Sequence, residues 1–422
     1  MKPLANIVEA KLAAQAPGLA VWLPGGRRLG SADASVRLKL ADWAPLAHVA
    51  AGRVGGLARD WVEGRIELHG TMRDIAATAA ALVDRDPTTP ESAPGPQSPL
   101  AWWRGLERHR RPSTRHTPDA DARQVQFHYD VSDEFYGLWL DAQRVYSCAY
   151  WRDGAGTLAQ AQVAKLDHVC RKLLLREGER FLDVGAGWGG LLLWAAEQYG
   201  VRATGVTLSK NQHAHVQGLI DASGLAGRVR IELRDYRDLP EGEPFDKIAS
   251  IGMFEHVGHA QLPAYFAKLR RLLVPGGLLM NHGITAGGTR NTQLGAGIGE
   301  FIEHYIFPGG ELLHLSHVLA TMAEAGWEAV DIENLRPHYA RTLWAWSDAL
   351  EARLDEARRL TSEPVLRAYR LYLAGSAMAF ERGWMSLHQV LAARPSGDLM
   401  AGTLPGAQSA YPFMRDYIYK QR

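Results

Sequence analysis

The chain has 422 residues, 46% of them hydrophobic and 22% charged, with a net charge of +1. That length suits one large or two medium domains, and the charge balance gives no global electrostatic case for nucleic acid. Two cysteines cannot build a disulfide framework or a four-ligand zinc site, so a reducing cytoplasm is expected.

The N-terminal stretch MKPLANIVEAKLAAQAPG lacks the continuous apolar core of a signal peptide. The longest apolar run, LLLWAA (191–196), is too short to span a bilayer, so no crossing is expected, while lying on a membrane stays open. Residues 1–85 read as a small α+β module. LAVWLPGGRRLG (19–30) has the pattern of a hairpin around Gly25 and Gly26, SVRLKLADW (35–43) alternates like a strand, and WVEGRIELHG (61–70) continues the mixture. Residues 86–100 hold Pro87, Pro90, Pro94, Pro96 and Pro99 and read as an extended linker. In AWWRGLERHRRPSTRH (101–116), Trp102 and Trp103 stand beside Arg104, Arg108, Arg110, Arg111 and Arg115. Such a segment suits a membrane interface, and it equally suits a solvated basic helix with two packed tryptophans.

From about residue 158 the pattern becomes βα alternation. The spacing predicts a helix over 158–175, a strand over 180–186, a helix ending on Gly200 and a strand over 202–208. A helix capped by Ser209 then runs to Ser223, and strands follow at 229–234, 245–253 and 276–284. Long helices over roughly 342–383 precede a last strand at 385–394. This alternation argues for a doubly wound parallel sheet within a catalytic domain of residues 101–422.

LDVGAGWGG (182–190) follows a strand and opens a helix, so its glycines let a ligand approach the backbone. Gly185, Gly187, Gly189 and Gly190 give G-x-G-x-G-G, not the dinucleotide spacing G-x-G-x-x-G. Asp183 lies inside the strand, and Thr207 stands where an NAD enzyme would hold ribose with a carboxylate. These features favour S-adenosylmethionine, which has no phosphate to seat and whose amino group takes a nearby acid.

The ordered motifs HYDVSDEFYGLWLD (128–141), VYSCAYW (145–151), LDVGAGWGG, GVTLSKNQ (205–212), DYRDL (235–239), GMFEHVG (252–258), NHGI (281–284), YIFPGG (305–310) and HYARTLWAW (338–346) resemble the cyclopropane-fatty-acid synthases and the related mycolic acid cyclopropane synthases. The resemblance covers about residues 125–395, and the N-terminal region looks like the small lipid-side domain of longer members. It implies an α/β, class I S-adenosylmethionine-dependent methyltransferase fold. By that analogy Tyr129, Tyr146, Ser147, Asp183, Gly185, Gly187 and Gly189 surround the methionine portion of the cofactor, Thr207 and Gln212 meet the ribose, and Tyr236 and Arg237 flank the adenine. The implied substrate is the cis double bond of a phospholipid acyl chain at the membrane surface, with a homodimer as a further expectation.

The family's chemistry adds a methylene across that bond. Methyl transfer to the alkene leaves a carbocation that water would trap, so the site must be dry and aromatic faces can steady the charge. Tyr129, Tyr146, Phe135, Phe254 and Tyr305 are candidates for that lining. Ring closure needs a base, understood in this family as bound bicarbonate, held here by Cys148, Glu255, His282, Tyr339 and the backbone of Ile284. Cys148, Glu255 and His282 also have zinc-ligand chemistry, but the resemblance implies no metal. Members often carry a cysteine where this chain has Ser376, and the loop at 285–299 departs from the usual form. The expected protein is thus a cytoplasmic, membrane-peripheral phospholipid cyclopropane synthase. A methylating relative that closes no ring, and a silent lipid-binding protein, are the alternatives.

Overall fold

The computed structural model describes residues 2–83, 86–89, 132–154, 156–290, 293–307, 309–395, 412 and 414–419. Tyr129, the basic segment 101–116 and most of the proline-rich linker lie outside them. Helix α1 (Lys2–Gln15) leads into β1 (Leu19–Trp22) and β2 (Arg28–Leu29), an antiparallel pair joined across Gly25 and Gly26, both at positive φ. In β3 (Val36–Leu40) burial alternates residue by residue, with Val36, Leu38 and Leu40 inside and Arg37 and Lys39 in solvent. After α2 (Ala44–Ala50) and α3 (Val54–Val62), β4 (Ile66–His69) completes a four-stranded sheet of order β2-β1-β3-β4, and α4 (Met72–Leu82) follows. The expected hairpin and the strand in 35–43 are both present.

The second sheet is built from β5 (Arg180–Val184), β6 (Arg202–Thr207), β7 (Val229–Leu233), β8 (Phe245–Ile251), β9 (Leu273–Ala286), β10 (Glu328–Asn334) and β11 (Met385–Ala393). The helices of this stretch, in chain order, are α5 (Asp133–Gly137), α6 (Leu158–Lys172), α7 (Gly190–Tyr199), α8 (Lys210–Ser223), α9 (Leu262–Leu272), α10 (Ile298–Tyr305), α11 (Leu315–Glu324), α12 (Arg336–Glu351), α13 (Leu354–Leu360) and α14 (Glu363–Glu381). The strand order is β10-β11-β9-β8-β5-β6-β7. Five strands run parallel, but β11 is antiparallel to both neighbours, so the sheet is mixed where a parallel one was expected. An apolar run such as MSLHQVLAA reveals burial and not direction. Strand β10 is absent from the sequence reading because EAVDIEN buries only Val330 and carries acids along the sheet edge.

Leu166 and Val169 of α6, Leu191 and Ala195 of α7, and Val216 and Ile220 of α8 share one core cluster. Leu262, Phe266 and Leu269 of α9 join Val318 and Met322 of α11 in another. Strand β5 lies between β6 and β8, where the winding reverses, which is the place at which such sheets open a ligand crevice beyond their strand ends. Helix α6 starts on a capping box: the Thr157 hydroxyl accepts from Gln160 N–H while the Gln160 amide oxygen accepts from Thr157 N–H. Thr157→Ala is expected to lower stability by about 1 kcal/mol. An unchanged midpoint in urea would show the box to be idle.

The chain divides into two compact units, and the division is interleaved. One unit takes in Met1–Pro112, Arg290–Pro308 and Leu343–Trp384, the other Ser113–Thr289, Gly309–Thr342 and Met385–Arg422. Two later segments thus join the N-terminal residues in the first unit. Within that first unit the Gly55 N–H donates to Ala296 O at 3.0 Å, and a Cβ at Gly55 would run into the Gly297 carbonyl. Only glycine allows this approach of α3 to the chain before α10. Among the described residues no helix is long and apolar enough to cross a membrane, and no three His, Cys, Asp or Glu gather as a metal site.

Candidate active site

Gly185, Gly187 and Gly189 follow β5 with φ of +78°, +54° and +83°, values that L side chains adopt only at a cost. The N–H groups of Gly185 and Ala186 both donate to Val206 O at 3.0 Å, which pins the loop to β6. A Cβ on Gly189 would lie 2.9 Å from the Val216 side chain, whereas one on Gly187 would meet none of the described residues within 4 Å. Gly189 thus lets the loop pack on α8, and Gly187 faces open space. Asp183, one turn of chain earlier, is buried, and burial pushes its carboxyl up to about 7, with Lys165 pulling the other way.

At the end of β6 the Thr207 hydroxyl donates to Gln212 Oε1 at 2.8 Å. Ser209 caps α8 by accepting from Gln212 N–H. The Gln212 carbonyl oxygen is thereby engaged inside the fold, and its amide nitrogen keeps donors to offer. Asp235 accepts from the Arg237 backbone N–H at 2.9 Å and from its guanidinium at 2.9 and 2.6 Å. That fork fixes Arg237 beside Tyr236, whose ring packs edge-on against Tyr265 at 5.4 Å.

The stretch VYSCAYW is held from two helices. Gln162 of α6 donates to Val145 O and Ser147 O at 3.1 and 2.9 Å. Thr342 of α12 accepts from Ala149 N–H and from the Trp151 indole. The Lys165 ammonium donates to the Ser147 hydroxyl at 2.9 Å, so that hydroxyl turns its own proton elsewhere. Burial lowers Lys165 to about 8, opposed by Asp141, Cys148 and Asp183. Tyr146 sits among Tyr136 and Trp139 at ring distances of 5.6 and 5.3 Å, and Trp188 joins Tyr136 at 6.2 Å.

Cys148, expected to help hold an anion, is fully buried. Its sulfur approaches Ala149 O at 3.3 Å and Leu335 O at 3.9 Å, and burial pushes the thiol far above its ordinary range. It is a packed thiol.

Strand β9 places His282 between Ile251 of β8 and Gln389 of β11. The Gln389 amide nitrogen is 3.1 Å from His282 Nδ1. Glu255, in the 3-10 turn after β8, accepts from Ile284 N–H at 3.3 Å through Oε1. The Ile284 N–H, expected to face the anion, points toward Glu255. Glu255 Oε2 and His282 Nε2 are buried without a hydrogen-bond partner among the described residues, in side chains only 7% and 1% exposed. Burial raises Glu255 to about 7, and burial with Lys165 and Lys172 nearby holds His282 well below its ordinary range. Tyr339 is buried in the first turn of α12.

Phe135 and Phe254 are buried in the same compact unit as these residues. Tyr305, expected in the lining, belongs to the other unit, with its hydroxyl 3.3 Å from Glu63, and Ser376 is buried there in α14. Sequence reasoning missed Lys165 and Gln389. Lys165 had a signal, for it lies four residues after Ala161 on the stripe that buries α6. Gln389 had none beyond its place inside an apolar strand.

The open face at Gly187, the buried acid Asp183, the oriented Ser147 hydroxyl and the Gln212 amide suit an amino-acid-bearing nucleoside such as S-adenosylmethionine. The family model described as mycolic acid cyclopropane synthetase matches residues 116–390. The chain is 47% identical over 347 residues to a probable fatty acid methyltransferase of Pseudomonas putida, covering 81% of this chain and 83% of that one. It is 35% identical over 419 residues to a probable fatty acid methyltransferase of Mycobacterium tuberculosis, covering 94% and 96%. The crystal structure of mycolic acid cyclopropane synthase CmaA1 complexed with SAH and CTAB aligns with a TM-score of 0.61 and 39% identity, over 64% of this chain and 98% of that one. The chain belongs to the mycolic acid cyclopropane synthetase family and is an S-adenosylmethionine-dependent methyltransferase of class I fold.

Proposed function

We propose that this enzyme adds a methylene across the cis double bond of an acyl chain in a membrane phospholipid, closing a cyclopropane ring with bicarbonate as the base. The observation that carries this reading is the pair of buried, unpartnered polar atoms, Glu255 Oε2 and His282 Nε2. Buried polar groups in folded proteins are as a rule hydrogen-bonded, so an acid and an imidazole left open on β9 and the turn after β8 suit a small polar ligand. When bound, S-adenosylmethionine supplies the methyl group and bicarbonate a small base. SAH, the demethylated form of that cofactor, is bound in CmaA1. Toward the cofactor, Ser147 donates, Asp183 takes the amino group and Gln212 donates to the ribose, while Tyr236 and Arg237 flank the adenine. Toward the anion, Glu255 Oε2 accepts an O–H, and His282 and Tyr339 donate. The rings of Tyr136, Trp139, Tyr146 and Trp188 keep water from an electron-poor acyl carbon. The enzyme would work from the cytoplasmic face of the membrane, with residues 101–116 as its basic contact.

A second reading, methyl transfer without ring closure, is favoured by the name of the relative that is 47% identical. The two differ only in which proton leaves. Expression in a host that lacks cyclopropane lipids, followed by mass spectrometry and proton NMR of its fatty acids, separates them. Ring methylenes support the proposal, branched chains overturn ring closure, and unaltered unsaturated chains overturn both readings.

The pH dependence follows from Glu255. A carboxyl raised to about 7 is protonated below that pH and loses the charge that makes it a strong acceptor for the anion's O–H, so kcat/KM should rise with pH through about 7. Glu255→Gln should erase that limb; its persistence would assign the limb to another group.

A further inference from the structure

The partner of His282 decides what that ring can do. His282 and Gln389 are directly opposite on β9 and β11, and both are buried, with Gln389 at 0% exposure. The contact runs from the Gln389 amide nitrogen to His282 Nδ1 at 3.1 Å. With the Gln389 NH2 toward the ring and its Oε1 without a partner among the described residues, Nδ1 is the accepting nitrogen, whereas an Oε1 turned toward the ring would require Nδ1–H. A neutral imidazole has one proton, and it therefore sits on Nε2, the atom without a partner among the described residues. The ring stays neutral because it is buried near the Lys165 and Lys172 ammonium groups, which Glu333 offsets only in part.

We infer that Gln389 is a positioning residue that fixes His282 as its Nε2–H tautomer, making His282 a hydrogen-bond donor to the bound anion and unable to serve as the base itself. This rests on the proposed anion site, and it adds the residue that sets the ring's role. With Nε2 already protonated, no lone pair remains on that atom to take a proton from the acyl chain. The base must come from the anion that Nε2–H and Glu255 hold.

The test begins with the unmodified protein. In ¹⁵N-histidine-labelled enzyme, with the His282 signals identified by their loss in His282→Gln, Nε2 is expected protonated and Nδ1 bare. A proton on Nδ1 in the wild type would overturn the inference. Gln389→Glu replaces the donor by an acceptor of nearly equal size and should move the proton to Nδ1. It should lower kcat roughly 10- to 100-fold while leaving SAH affinity within about twofold. Full activity with a switched tautomer would also overturn the inference. Failure of the underlying reading looks different: Nε2–H in the wild type with turnover indifferent to bicarbonate would remove the anion and leave the tautomer assignment standing.

Discussion

Gly283→Ala is expected to reduce turnover about 100-fold in a protein that still folds. Gly283 lies on β9 between His282 and Ile284, and a Cβ there would stand 2.5 Å from Glu255 Oε2 and closer still to Phe254 Cε1. Neither atom is the loose end of an exposed chain, because both residues are buried. The turn that carries Glu255 must therefore move outward by about 1 Å, and a displacement of that size costs on the order of 10²-fold in an aligned site. Overpacking of this kind also costs about 1–3 kcal/mol of stability. The discriminating measurement is SAH binding by calorimetry alongside turnover. The glycine loop after β5 is untouched, so affinity should hold while kcat falls. Equal losses in both would mean that the strand, and not the Glu255 turn, had been disturbed.

Glu255→Gln isolates the charge from the shape. The amide keeps an oxygen for the Ile284 N–H, now at 3.3 Å from Oε1, and so keeps the turn in place. It puts an NH2 where Oε2 stood, replacing an acceptor by a donor. An anion's O–H then loses its partner, and turnover should fall by roughly 10²–10⁴-fold with SAH affinity preserved. Activity near that of the wild type would remove Glu255 from the anion's surroundings.

Local chemistry made much of this fold readable. Gly25 and Gly26 marked the hairpin, Ser209 marked the start of α8, and the short apolar strand before Gly185 placed the cofactor loop. These are nearest-neighbour effects, set by a few residues of backbone. Partnerships across the sheet were not readable. The apolar composition of β11 gave no sign that it enters between β9 and β10 in the opposite direction, and the acids of β10 hid an edge strand. The interleaving of 290–308 and 343–384 with the first unit depends on contacts far apart in sequence.

The site divides along the same line. Its glycines, Asp183, Thr207, Glu255 and His282 lie within compact motifs, so the motifs exposed them. Lys165 and Gln389 act through pairings with Ser147 and His282, 18 and 107 residues away along the chain. Cys148 shows the same limit. Its aromatic neighbours in sequence said nothing of Leu335, 187 residues on, whose carbonyl lies by its sulfur.

The most direct measurement combines purified enzyme, S-adenosylmethionine and vesicles of a cis-unsaturated phospholipid in buffer stripped of carbon dioxide, with bicarbonate then restored. The expected result is a cyclopropane methylene by proton NMR, formed slowly in stripped buffer and faster in proportion to added bicarbonate until saturation. Branched chains in place of the ring, or no methyl transfer to the phospholipid at all, would contradict the account.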